Sequence, residues 1–356
     1  MITSESNPVH AYDFAAPISL HWPGVDSHLL LDILRTRGLN RLRGISFLGG
    51  IDYLFVRSPN GVQGNRRYSR YQHSLGVARL ASFHGRLVDA TERELNLACV
   101  AALLHDVGHA PLSHSLEPVF RQEYDIDHHL ATKLIITGDS PFGPEVKDVL
   151  LRYKIDPEEV IAVISGQTNV FGGFFSGPIN FDTIEGITRL ISYQRSSGKS
   201  PGPERIVEAA TLRSEAIHKT IVDSFWEMKD HAYRTVINSR QGVLADLICQ
   251  NMFKANLKKF RRSSYFLNET QLFKLLPKLR KILTAQDFEQ SVSAYFEMPI
   301  EYRVRRFFVD EKGSFDRRED FHRYRQAKLD RSLVAGGQAE LNEGNETKDL
   351  FPNAGH

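Results

Sequence analysis

Apolar residues recur at intervals of three and four through most of the chain, and helix is the element that this spacing predicts. SHLLLDILRTRGLNRL carries Leu30, Leu31, Leu34 and Leu39 on this period, with Gly38 placed to cap a helix end. Glu92 to His109 reads as a long, strongly apolar and therefore buried helix ending near Gly108, because Pro111 disfavours helical geometry at Ala110. Segments 128–137, 144–153 and 156–165 follow the same period, the last opening on Asp156-Pro157, an N-cap followed by proline in the first turn. Residues 180–194 and two or three helices across 206–260 continue the series. Strand-like patterning is confined to a β-branched and aromatic stretch at 45–57, with a hairpin turn expected around Ser58-Pro59-Asn60-Gly61, and to 300–309. GQTNVFGGFFSGP (166–178) breaks the helical rhythm and combines glycine freedom with apolar side chains, the composition of a lid. The expected fold is mainly α with a few short strands.

Composition changes this picture little. The chain has 356 residues, 41% apolar and 25% charged, and Lys+Arg 45 against Asp+Glu 43 leaves a formal charge of +2. No global imbalance therefore announces a nucleic-acid or membrane partner. Cys99 and Cys249 lie too far apart in sequence for a disulfide framework or a metal knuckle and fit a reducing compartment. No apolar stretch approaches the roughly 20 residues of a membrane span, and the opening MITSESNPVHAYDF has neither the basic nor the apolar part of a signal peptide, so a cytoplasmic protein is expected. Pro8, Pro17 and Pro23 suggest an extended lead-in over 1–28, followed by a main domain at 29–250, a charge-rich helical extension at 251–331 and a polar, disordered tail at 332–356. The extension opens with nine basic residues between Lys254 and Lys281 against Glu269 alone. They are interleaved with Phe253, Phe260, Tyr265, Phe266 and Phe273, so this stretch is either a nucleic-acid or allosteric-nucleotide surface or a solvated helical face over a core stripe.

Histidine is the informative residue. Seven of the 14 lie between His73 and His129. LACVAALLHDVGHAPLSHSLE brings His105, Asp106 and His109 to the end of an apolar element, where unpaired burial of a carboxylate is costly and a metal, an ion pair or a hydrogen-bond network is the usual resolution. Imidazoles with carboxylates suit first-row metals. SRYQHSLGVARLA sets Arg70 beside His73 on one helical face, a cation next to an imidazole as phosphate recognition requires. DIDHHLATKLI adds His128 and His129, and GPINFDTIEGITRL adds Asp182, which on local grounds reads as an N-cap boxed with Glu185.

His73, the His105-Asp106 pair and Asp182 resemble, in order and spacing, the H…HD…D signature of the HD-domain metal-dependent phosphohydrolases. RLRGISFLGG…YSRYQHSLGVARLA…LLHDVGHAPLSHSLE is similar in particular to the dGTPase and SAM-and-HD-domain branch, the deoxynucleoside triphosphate triphosphohydrolases, over roughly residues 39–250. The resemblance implies an HD-domain helical fold and a divalent metal (Mn, Fe, Mg, Ni or Zn) held by His73, His105, Asp106 and Asp182. It also implies acid–base and orienting roles for His109, His114, Glu117 and His128, phosphate contacts from Arg70 and Lys229, a nucleotide substrate, and a homo-oligomer. Where the branch reads the substrate, this chain departs: Phe47, His129, Thr183, Gly186, Leu190, Lys229 and Ile237 stand at positions of a Gln, an acid, a Lys, a Tyr, an Asp, an Arg and a Tyr. Arg41 and Arg43 fall where the resemblance places an effector or subunit contact. The function expected is hydrolysis of nucleotide phosphate esters, with dNTPs leading. The alternatives are a nucleoside monophosphatase or other phosphomonoesterase, or a nucleotide- or nucleic-acid-binding sensor.

Overall fold

The apolar run ending in Ala-Leu-Leu forms the axis of the molecule. Thr91 and Glu94 form a reciprocal capping box at its start, and every residue from Leu97 to Leu104 is buried, a helix sheathed on all sides. The helix Glu92–Leu104 packs against Arg70–Leu87, which begins on its own box of Ser69 and Gln72, and against Pro157–Ile164, capped by Asp156. The computed structural model describes residues 22–55, 68–193, 200–212, 216–309 and 324–334. Among them the fold is helical throughout, except for one antiparallel ribbon that pairs Ile300–Val309 with Tyr324–Leu333, Ile300 opposite Leu333.

Several local expectations are corrected. The central helix ends at Leu104, not near Gly108. Beyond it the chain tightens into turns, Val107 N–H donating to Leu104 O at 3.0 Å and His109 N–H to Asp106 O at 3.1 Å. Gly108 explains the change: a Cβ there would lie 2.3 Å from His128 O and from Thr132 N, so this backbone is pressed against the helix His128–Thr137. Residues 45–55 form no ladder. Ser46 makes a single bridge to Ser69, and short helical turns at Gly49–Ile51 and Asp52–Phe55 follow, because the Asp52 carboxylate accepts from Leu48 N–H at 2.7 Å and starts a helix. The expected turn at 58–61 lies outside the described residues, as does the lead-in before Trp22. Gly38 caps nothing. The helix Ser27–Arg35 stops at Thr36, whose N–H and hydroxyl both return to Ile33 O, while Gly38 lets Ile135 approach closely.

The C-terminal third carries the strand expected at 300–309. Its helices end at Phe288–Ser293 and the ribbon follows, with Leu333 fully buried, so ordered chain runs past residue 331; residues 335–356 lie outside the described part. Phe253, at the head of the basic stretch, and Phe260, Tyr265 and Phe273 within 254–281 are buried, so base stacking on them is not available and the basic residues occupy the outer face of a packed element. Glu269 is buried as well, accepting from Ser46 N–H and Oγ–H, from Tyr53 O–H at 2.6 Å and from Leu112 N–H at 3.2 Å. Loop 166–178 is docked: Phe171, Phe174 and Phe175 surround Phe181, and Phe174 also meets the buried ring of His84.

Candidate active site

Four side chains from three elements converge where Arg70–Leu87, the end of Glu92–Leu104 and the start of Phe181–Tyr193 meet. His73 is wholly buried. Its Nε2 lies 3.0 Å from Asp182 Oδ1 and 3.5 Å from Asp106 Oδ2, while its Nδ1 is bonded to Glu185 Oε2. A carboxylate can only accept, so Nδ1 carries a proton, and Nε2 faces two further carboxylates either as a second donor or as a lone pair offered to a cation held between them. His105 repeats the arrangement. Its Nδ1–H donates to Ala102 O at 2.7 Å, which leaves Nε2 buried without a hydrogen-bond partner, 3.4 Å from Asp106 Oδ1 and 3.9 Å from Asp182 Oδ1. Lone pairs and anionic oxygens facing one another without a donor are satisfied by a proton or a metal cation. The proton alternative is visible in His73: burial opposes its charged form, yet Glu185, Asp182 and Asp106 together hold its pKa up at about 9. The donor atoms of His73, His105 and Asp106 lie within 4.8 Å of one another, and Asp182, half-exposed, closes the open side.

A second cluster adjoins the first through Asp106. His109 Nε2–H donates to Asp106 Oδ1 at 3.1 Å, so its buried Nδ1 presents a lone pair with no partner. Its ring stacks on His128 with centroids 4.7 Å apart and 4° between planes, and His114 stands edge-on to it at 4.7 Å. Glu117 bridges the other two histidines, meeting His114 Nδ1 at 3.2 Å with one oxygen and His128 Nδ1 with the other. Burial disfavours charge on His128, but the Glu117 hydrogen bond and charge prevail and raise its pKa, whereas burial lowers that of His109. One imidazole of the cluster therefore holds its proton more tightly than a free histidine, beside another that releases it more easily.

The cations expected to meet phosphate occupy different positions. Arg70, 3% exposed, is committed to Asp106 Oδ2 at 2.6 Å and to Ser113 Oγ at 3.1 Å, with Phe47 5.2 Å beneath its guanidinium. In this state it orients a metal-site carboxylate. Lys229 lies at the rim, its Nζ 3.3 Å from Pro178 O just ahead of Asp182, and burial pushes its pKa down to about 8. Arg41 spends its guanidinium on the backbone oxygens of Val107, His109 and Leu267, bracing the turn that carries the histidines.

Glu185 and Arg189 escaped the sequence reading. Glu185 was taken as the boxing partner of Asp182, but the cap of this helix is Asn180, whose Oδ1 accepts from Thr183 N–H at 2.7 Å. Glu185 instead turns inward to His73 and is clamped by the buried Arg189 four residues on, its Oε1 accepting from Nε–H at 2.9 Å. Gly76 carried the available signal: a Cβ there would sit 2.2 Å from Glu185 Oε1, so a glycine in the middle of the His73 helix marks where this carboxylate passes.

Residues 70–164, which carry Arg70, His73, the His105-Asp106 pair and the second cluster, match the model of the HD domain. The chain carries an HD domain. Similar proteins include the uncharacterized protein YwfO of Bacillus subtilis, 34% identical over 218 residues, covering 59% of this chain and 45% of that protein. Another is the uncharacterized MG461 homolog of Mycoplasma pneumoniae, 23% identical over 309 residues, 79% of this chain and 68% of that protein. A third is deoxynucleoside triphosphate triphosphohydrolase SAMHD1 of Bos taurus, 32% identical over 157 residues, 39% of this chain and 24% of that protein. The chain thus spans less than half of YwfO and about a quarter of SAMHD1. Asp182 lies beyond the matched HD domain, as do Glu185 and Lys229, which close the same site from the C-terminal side. No helix among the described residues is long and apolar enough to cross a membrane.

Proposed function

We propose that this chain is a metal-dependent phosphohydrolase that cleaves nucleotide phosphate esters, with deoxynucleoside triphosphates as the leading substrate class and attack at the α-phosphate. The observation that carries the reading is the pair of buried Nε2 atoms of His73 and His105, each with its other nitrogen already hydrogen-bonded, aimed at the Asp106 and Asp182 carboxylates. Similarity to SAMHD1, whose name states that activity, supports the substrate class. His73, His105, Asp106 and Asp182 would hold the divalent ion, which when bound supplies Lewis acidity toward a phosphoryl oxygen. Glu185 and the Ala102 carbonyl fix the two imidazole tautomers, and Arg70 holds Asp106 in place. His128, kept protonated by Glu117, gives a proton to the leaving oxygen; His114 and His109 line the same face and orient the phosphate. The catalytic unit is proposed as residues 29–250, with 251–331 packed on it. A panel of dNTPs, NTPs and NMPs with Mn²⁺, Mg²⁺, Fe²⁺, Ni²⁺ and Zn²⁺, reading phosphate, pyrophosphate and triphosphate separately, tests the reading. Release of none of the three from any nucleotide, with metal bound, would refute it.

Lys229 is proposed to bind phosphate, and its depressed pKa gives this role a pH signature. It is cationic below about pH 8 and loses its charge as the pH rises through that value. The kcat/KM for an anionic substrate is therefore expected to fall on the alkaline side from about pH 8, and Lys229→Arg, which stays charged, to move that limb upward. An identical alkaline limb in the arginine variant would remove Lys229 from the phosphate.

Sugar reading is expected to be weak. Phe47 is buried with its ring 4.8 Å from that of His73, Leu190 is buried and Ile237 half-buried, and none offers a side-chain hydrogen bond. Gly186 makes the room, since a Cβ there would press on Phe47 Cζ at 3.3 Å. An apolar wall discriminates by roughly 10–200-fold, where a paired polar site reaches 10⁴–10⁵. Ribo- and deoxyribonucleotides should differ by no more than about two orders of magnitude in kcat/KM, and a preference of 10⁴ or more would place a polar reader elsewhere in the pocket.

A further inference from the structure

The ribbon carries a pair of like charges that its own register leaves unanswered. Arg305 and Lys328 are directly opposed across the two strands, so their side chains leave the same face side by side, and like charges so placed destabilise a strand pair. Two rungs away, on the same face, Arg303 opposes Asp330 and the two are joined at 2.7 Å, the ordinary solution. On the other side the rung is Phe307 with Gln326. Both cations are exposed, and among the described residues no carboxylate pairs with either.

Their position gives the pair a purpose. Phe307, two residues beyond Arg305 and so on its face of the ribbon, packs on Tyr233 with ring centroids 4.8 Å apart and lies 4.8 Å beneath the Lys229 ammonium. Asn238 Nδ2–H donates to Arg305 O at 3.1 Å, fixing the strand against the helix end. Through Phe307, the Lys229 ammonium, the Tyr233 ring and the ribbon face that carries Arg305 and Lys328 thus adjoin one another, beside the point where Lys229 meets Pro178 O ahead of Asp182.

We propose that Arg305 and Lys328 bind the phosphoryl groups of a polyphosphate substrate that extend past the one at the metal centre, with Lys229 and Tyr233 between. An anion lying between two opposed cations removes their repulsion and accepts charge-assisted hydrogen bonds from both. The proposal rests on the phosphohydrolase reading and narrows it to substrates bearing more than one phosphoryl group.

Calorimetric titration of inorganic tripolyphosphate into the metal-loaded full-length protein tests it, beside Arg305→Ala, Lys328→Ala and the double variant. Each single change should weaken tripolyphosphate about tenfold, leave inorganic monophosphate binding unchanged, and raise KM for dATP more than it lowers kcat. Melting temperatures should stay level or rise, since one of two repelling charges is gone. Lys328→Glu gives Arg305 an internal partner, and should raise the melting temperature while losing tripolyphosphate. Wild-type affinity for tripolyphosphate in the double variant, or no binding by the wild type, overturns the proposal. The two readings part cleanly: tripolyphosphate binding lost in the variants supports the Arg305 and Lys328 site even if the wild type hydrolyses no nucleotide, whereas hydrolysis of dATP with unchanged KM in the double variant retires that site alone.

Discussion

Replacing His105 and Asp106 together by alanine is expected to leave the protein without bound metal and without measurable turnover. Two of four ligands disappear, and the two that remain, His73 and Asp182, come from separate helices and already lie 3.0 Å apart, close enough to hydrogen-bond to each other once the ion is gone. Lewis-acid stabilisation worth several kcal/mol corresponds to a rate loss of about 10³–10⁴-fold or more. Asp106→Ala also leaves the buried Arg70 guanidinium without its carboxylate, a change that itself costs several kcal/mol of stability. His105→Ala with Asp106→Asn is therefore the companion variant, because the amide oxygen still accepts from Arg70. Elemental analysis after metal loading decides the matter. Stoichiometric metal in the double variant, or none in the wild type, sinks the ligand assignment.

His128→Ala is expected to lower kcat by about 10²–10⁴-fold with metal content unchanged, since a positioned proton donor contributes that much. The same substitution frees Glu117 from one of its two histidine partners, so His128→Gln, which keeps a hydrogen-bond donor without the titrating group, separates acid catalysis from positioning. If the glutamine variant turns over as fast as wild type, His128 holds Glu117 and donates no proton. His114→Ala should cost less than His128→Ala, because His114 is largely exposed.

What could be read in advance follows from what each signal depends on. Helical periodicity is a local property of burial, so the helices at His128–Thr137, Glu145–Arg152 and Pro157–Ile164 fell within a residue or two of their expected ends. His105, Asp106 and His109 stood out because a buried carboxylate and imidazoles need partners, whereas the grouping of His73, His105, Asp106 and Asp182 as one ligand set follows from the resemblance to the HD-domain phosphohydrolases, since Asp182 by itself reads as an N-cap. Failures occurred where a distant segment decides the local conformation. Gly108 ends a helix because of the backbone of residues 128–132, and Gly49 lets the Leu112 backbone approach closely. The stretch at 45–55 had strand composition, but an aspartate side chain on a nearby N–H outweighed it. Glu185 was hidden because a carboxylate three residues after an Asp looks like a capping partner, and only the partner helix reveals that it faces His73.

The burial of Glu269 sets where the chain can be cut. Its carboxylate takes hydrogen bonds from Ser46, Tyr53 and Leu112; Ser46 O in turn accepts from Ser113 Oγ–H at 2.7 Å, Ser113 Oγ accepts from Arg70, and Arg70 holds Asp106. A fragment ending at residue 250 would take the acceptor from three donors, Ser46 N–H, Tyr53 O–H and Leu112 N–H, at about 1–3 kcal/mol each, a large part of the whole stability of an ordinary domain. Any truncation series or fusion designed around the matched HD domain alone would then report on a collapsed pocket, and inactivity in such a fragment would carry no information about the chemistry of the intact protein.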